Sequence, residues 1–243
     1  MNYSFKDKKI LVTGAGRGIG RDVVITLAKQ GATVYALSKD ADNLKTLVEQ
    51  FPSLIKPIQC NLRDWDETEK VIANIEPLDH LVNNAGVAYR ENFFEIKSDA
   101  FDEIFDVNVK AVVNVTKNVA KKMVSSGKQG SIVNVSSVSA LKQAPGLLSY
   151  CTSKAAVDMI TKCSAIELAP HKIRVNSVNP TIVMTDMGHD LWDDITTQAL
   201  ARIPLNSFAE TTHCTNAILF LLSDLAGMTT GEFFLVDGGV AAN

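Results

Sequence analysis

KILVTGAGRGIGRDVVITLAKQGATVYALS, residues 9–38, decides the fold. It opens on Ile10, Leu11 and Val12, an apolar run without alternation that reads as a strand buried on both faces. Gly14, Gly16, Gly18 and Gly20 follow at once and lead into a helical pattern over 18–30, with Gly31 as its stop. TVYALS at 33–38 then begins a second strand. Glycines at such a corner let the backbone turn sharply and approach a pyrophosphate, whose charge is met by the helix N-terminus. A phosphate loop of the mononucleotide kind would need Lys-Ser or Lys-Thr after the last glycine, and none stands there. The corner is read as a dinucleotide-binding turn.

The same rhythm runs outward. LIKPIQC, LDHLVNN, SIVNVSS, IRVNSVNP and FFLVDGG read as further strands, with helical patterns near 40–51, 64–75, 98–126, 148–169 and 209–223. Strands apolar on both faces and separated by helices predict an α/β, doubly wound parallel sheet, Rossmann-like, of about seven strands. Asp64 and Ser98 are expected to cap the helices they open. No linker, repeat or low-complexity stretch interrupts the order, so residues 1–243 are expected to form one domain. The segment 184–206, with Met184, Met187, Gly188, Trp192 and Pro204, loses the periodicity and is expected to be an irregular lid over a site.

The end of the second strand bears on the cofactor. A free ribose 2′-hydroxyl would want a carboxylate there. The chain has Ser38-Lys39, with Arg17 inside the glycine turn, and a hydroxyl with two cations suits a 2′-phosphate. NADP(H) is favoured over NAD(H). The competing possibility is that Lys39 is a solvated surface charge and Asp40 reaches the ribose.

A second constellation lies in SIVNVSSVSALKQAPGLLSYCTSKAA, residues 131–156. Tyr150 and Lys154 share one face of the predicted helix, and an ammonium beside a phenol favours the phenolate. Ser137 follows the apolar strand IVNV, and a loop holding Pro145 and Gly146 can return it to Tyr150. Such a hydroxyl pair can hold a carbonyl oxygen and give it a proton. Ser136 is the alternative hydroxyl, and a Tyr-x-x-x-Lys pair alone also occurs on ordinary exposed helix faces.

Composition excludes several classes. At 243 residues and 46% hydrophobic content the chain can bury a core unaided. A net charge of -3 without a basic run argues against a nucleic-acid partner. No apolar stretch reaches about 18 residues, so no membrane span is expected. The N-terminal run is too short for a signal peptide. Cys60, Cys151, Cys163 and Cys214 are scattered, which reads as reduced thiols of a cytoplasmic protein. Neither they nor His80, His171, His189 and His213 are spaced to ligate a metal.

Together these motifs resemble the short-chain dehydrogenase/reductase family in its compact single-domain form. TGAGRGIG at 13–20, NNAG at 83–86, Asn108 in FDVNVKA, SS at 136–137, YCTSK at 150–154 and NP-TIVMT at 179–185 occur in the family's order over nearly the whole chain. ALSKD, APHKIRVNSVNPTIVMT, RIPL, NAILFLLSD and GMTTG resemble its reductases of small ketoses and α-dicarbonyls. The resemblance implies that Tyr150 is the general acid in reduction and the base in oxidation. Lys154 would lower its pKa and hold the nicotinamide ribose, Ser137 would polarise the carbonyl, and Asn108 would hold a water linking Lys154 to solvent.

The same resemblance assigns the cofactor's contacts. Gly14, Arg17, Gly18, Ile19 and Gly20 would meet the pyrophosphate end, and Ser38 and Lys39 the 2′-phosphate. Asn61 and Leu62 would face the adenine, Asn83 the adenosine ribose with Gly86 beside it, and Val183 and Thr185 the carboxamide. Leu147 and Trp192 would border the substrate with Ser137 and Tyr150. A homotetramer is also implied. Two positions depart from the family pattern: Asn61 stands where Asp is usual, and Thr181 follows Pro180 where Gly is commoner. A 3-oxoacyl-carrier reductase shares the catalytic residues. A silent dinucleotide-binding scaffold would have no reason to keep all four.

Overall fold

In β1 (Lys9–Thr13) only Lys9 is not buried, as a strand without a polar face requires. The computed structural model describes residues 4–192 and 196–242. Beyond β1 the strands are β2 (Thr33–Ser38), β3 (Ile55–Gln59), β4 (His80–Asn83), β5 (Gly130–Val135), β6 (Ile173–Pro180) and β7 (Phe233–Val236). They pair in one seven-stranded sheet, in the order β3-β2-β1-β4-β5-β6-β7. Every pairing is parallel. Among these strands only the edge strands β3 and β7 contain exposed residues. β3 exposes Lys56 and Pro57, and a proline without an N–H is tolerated at an edge.

Helices cover both faces. α1 (Gly18–Lys29), α2 (Asp42–Gln50) and α9 (Thr211–Leu222) bury Val23, Leu27, Leu44, Leu47, Ile218 and Leu222 against one face. α3 (Trp65–Ala73), α5 (Ala111–Ser125) and α6 (Leu148–Leu168) bury Ile72, Val115, Val119, Met123 and Ala165 against the other. Gly31 follows α1 with φ 84, the left-handed stop expected of it. Asp64 caps α3 by accepting from the Glu67 N–H at 2.8 Å.

Ser98 is not a cap. It is the first residue of α4 (Ser98–Phe105), because the first turn closes from the Phe101 N–H onto the Lys97 carbonyl at 3.0 Å. The long helical pattern continues from α4 through a π turn, Asp106–Lys110, into α5.

The lid region also differs from expectation. It contains two short helices, α7 (Asp186–Trp192) and α8 (Thr196–Leu200), each too short to leave a helical period in the sequence. Residues 193–195 of that segment lie outside the described residues.

Candidate active site

Between β1 and β4 the strand order reverses, and the carboxyl ends of the strands splay around a cavity of about 410 Å³. One end is the glycine turn. Gly14 has φ 64, and a Cβ there would lie 2.8 Å from Ala85 Cα. The Asn84 amide donates to the carbonyls of Thr13 and Gly14 at 3.0 and 3.1 Å, which ties the turn to the end of β4. Gly14, Gly16, Arg17, Gly18 and Ile19 border the cavity. Gly20 does not. A Cβ on it would come within 2.3 Å of the Gly14 carbonyl oxygen, so its smallness serves the packing of α1 behind the turn.

Past the end of β2, Ser38, Lys39 and Arg17 all reach the cavity wall, joined by Asn43. Asp40 turns away. Its two oxygens accept from the Asp42 N–H at 2.9 Å and the Asn43 amide at 3.2 Å, at the start of α2. The wall is therefore cationic where the sequence left open a carboxylate. Arg17 also meets Asp186 of α7 at 3.6 Å. Beyond β3, Asn61 and Leu62 border the cavity, with the Asn61 oxygen accepting from the Arg63 N–H at 3.3 Å.

Asn83 is misassigned by the sequence reading. It is buried beneath the wall, donating to Thr116 Oγ1 and Asn134 Oδ1, both at 2.9 Å. Successive side chains of a strand point to opposite faces, so the pair Asn83-Asn84 can send only one amide toward the cavity. Asn84 is that one, and the alternation could have identified it.

The chemistry-bearing groups converge at the other end. Ser137 starts a 3₁₀ turn after β5, its oxygen accepting from the Ser139 N–H at 3.1 Å, and its hydroxyl lies on the Tyr150 side, where it favours the ionised phenol. The Ser136 hydroxyl points instead at the Lys154 carbonyl, 3.2 Å away. Ser137 is thus the hydroxyl that faces Tyr150. Tyr150 lies in the first turn of α6, and Lys154 follows one turn later, 4% exposed, its Nζ donating to the Val135 carbonyl at 2.8 Å.

Burial pushes the Tyr150 phenol up to about 12, and the Ser137 hydroxyl only partly opposes it. Burial pushes Lys154 down to about 8, against the pull of the Asp158 carboxylate. The expected depression of the phenol by Lys154 is therefore not a property of the chain alone. The ammonium is held on the Val135 carbonyl, and desolvation is the largest influence on the phenol.

Asn108 sits in the π turn with no exposure. Its amide donates to the Val87 carbonyl at 2.9 Å and to Ser153 Oγ at 3.0 Å, while its oxygen accepts from the Val87 N–H at 2.9 Å. Both amide protons are used, leaving one acceptor lone pair to hold water. A Cβ on Gly86 would lie 3.4 Å from that oxygen and 3.6 Å from Lys154 Nζ, so Gly86 keeps the space between them open.

Leu147 and Trp192 border this end, as do Val183 and Thr185. Arg90 clamps the lid from outside. It donates to the Leu191 carbonyl at 3.0 Å and lies 5.1 Å from the centre of the Trp192 ring. Lys142, Arg202 and Val240 also line the wall, and the sequence assigned none of them a place at the site. They come from segments brought together only by the fold.

Comparison with known proteins gives a consistent result. The family model described as short chain dehydrogenase matches residues 8–196. D-erythrulose reductase of Gallus gallus is 48% identical over 98% of this chain and 97% of its own length. L-xylulose reductase of Homo sapiens is 48% identical over 98% of both chains. Among solved structures, a gluconate 5-dehydrogenase from Burkholderia cenocepacia in complex with NADP and tartrate superposes with a TM-score of 0.93. It shares 27% identity over 99% of this chain and 97% of its own.

Proposed function

The chain belongs to the short-chain dehydrogenase/reductase family, and on that premise we propose that it is an NADP(H)-dependent oxidoreductase that reduces the carbonyl of a small ketose or α-dicarbonyl to an alcohol. L-xylulose to xylitol, reversibly, is the reaction placed first, with diacetyl as a side substrate. The observation that carries the reading is one cavity with Ser137, Tyr150 and Lys154 at one end and the glycine turn with Lys39 at the other.

The residues present fit the cofactor. The turn around Gly14 has no room for a Cβ, the start of α1 presents free N–H groups, and Arg17, Ser38 and Lys39 offer two cations and a hydroxyl to a 2′-phosphate. When bound, NADPH supplies the hydride. Ser137 binds the carbonyl oxygen beside Tyr150. With its pKa at about 12, Tyr150 stays protonated through the physiological range and gives its proton to the oxygen as negative charge develops there. Lys154, protonated below about 8, supplies positive charge beneath that site. Leu147 and Trp192 make part of the wall apolar, which suits short carbon chains as well as a sugar. Family resemblance extends to a homotetramer, which light scattering after size exclusion reads directly.

The test is turnover of L-xylulose, diacetyl and an acetoacetyl thioester with NADPH and with NADH. Reduction of the first two with NADPH preferred supports the reading. A preference for the thioester makes the protein a 3-oxoacyl-carrier reductase, and cofactor binding without turnover of any substrate makes it a scaffold.

A further inference from the structure

Asp158 is a buried acid that the proposed reaction does not use. It lies one helical turn beyond Lys154, also on the buried face of α6, and is 4% exposed. Its carboxylate meets a polar pair from β6. The Asn179 amide donates to one oxygen at 2.8 Å, and the Ser177 hydroxyl lies 3.3 Å from the other. Ser136, just past β5, also favours its charged form. Asn179 gives its second amide proton to the Ser137 carbonyl at 3.2 Å, and the Ser177 hydroxyl bonds the Asn179 oxygen at 2.7 Å. A buried carboxylate is costly unless it is hydrogen-bonded and faces a cation, and this one has both.

From this arrangement we propose that Asp158 is a positioning residue of the reductase site, fixing Ser137 through Asn179 and supplying the negative charge that faces Lys154. The inference rests on the roles given to Ser137 and Lys154 above. Two arms leave the carboxylate. One is mechanical and runs through Asn179 to the backbone of Ser137, whose hydroxyl must stay in register with Tyr150. The other is electrostatic. The groups around Lys154 are Tyr150 and Asp158 from its own helix, the Val135 carbonyl and Ser136 from the end of β5, and the neutral Asn108 amide from the π turn. Among the described residues Asp158 supplies the charge that raises Lys154 against burial, without ion-pair contact between the two. Burial also raises Asp158 itself, while Ser136, Asn179, Ser177 and Lys154 pull it back.

The electrostatic arm is tested by titrating the Lys154 side chain by NMR in the cofactor-free protein, with the signal assigned through Lys154→Arg. The wild type is expected to titrate near 8, and Asp158→Asn lower by about one pH unit. Asp158→Glu is expected to restore most of the shift. An unmoved midpoint in Asp158→Asn overturns this arm whether or not the enzyme turns over either substrate. Asn179→Ala tests the mechanical arm. Its kcat for diacetyl with NADPH should fall about tenfold while NADPH affinity holds, whereas a lower melting temperature with unchanged kcat would make the cluster merely structural. If Asp158→Asn does not fold, Asn179→Ala carries the titration instead. Removing a donor to the carboxylate should move the Lys154 midpoint, and a fixed midpoint overturns the arm. A wild type inactive on L-xylulose and diacetyl would overturn the parent reading and leave the titration to decide this one.

Discussion

The two ends of the cavity are built differently. The cofactor end is made of strand termini and tight backbone contacts: Gly14 against Ala85, Asn84 on the glycine-turn carbonyls, Asp40 turned into the start of α2. The substrate end is made of a loop, two short helices and the turn at Val240, held by side chains such as Arg90 on Trp192. Backbone contacts at 3 Å or less fix residue types one by one. Side-chain closure over a cavity fixes only size and polarity, so many sequences satisfy it. The first end therefore specifies a cofactor, and the second leaves room to select among substrates.

The comparison breaks most easily at the shared centre. Tyr150→Phe should lower turnover by about 10²–10⁴-fold while NADPH binding, followed by fluorescence, stays near wild type. Loss of cofactor affinity in step with turnover would mean that the two ends are not separable. At the cofactor end, Lys39→Asp should shift the ratio of NADPH to NADH affinity by about 10–100-fold toward NADH, the size of a lost charge-assisted contact to phosphate. Equal weakening of both cofactors would remove the 2′-phosphate assignment. Arg90→Ala should have the smallest effect, raising KM for the carbonyl substrate about fivefold with kcat and cofactor affinity little changed, as expected for one exposed cation–π contact and one hydrogen bond. A fall in kcat instead would place Arg90 closer to the chemistry than the lid.

Legibility in the sequence follows the same division. The seven strands and the long helices could be read because apolar runs and helical periods survive in them, and Gly31 and Asp64 stand where their backbone chemistry requires. Ser98 missed by one position because a cap is decided by which carbonyl closes the first turn. Of the adjacent pair Asn83-Asn84 only Asn84 borders the cavity, a distinction that two identical side chains in sequence do not carry. The rise of the Tyr150 phenol is not legible in the spacing, which shows that Lys154 is near but not how dry the pair is. α7 and α8 were invisible, each being shorter than two helical repeats plus a cap. Lys142, Arg202 and Val240 meet at the cavity only through tertiary packing.

The central claim, that one cavity joins an NADPH site to a carbonyl-protonating centre, is tested most directly by isotope transfer. Wild-type protein given L-xylulose and NADPH deuterated at one face of nicotinamide C4 should return xylitol with one deuterium on the new carbinol carbon and none from the opposite face. Xylitol without deuterium from either face, or no product while the cofactor is bound, would contradict it.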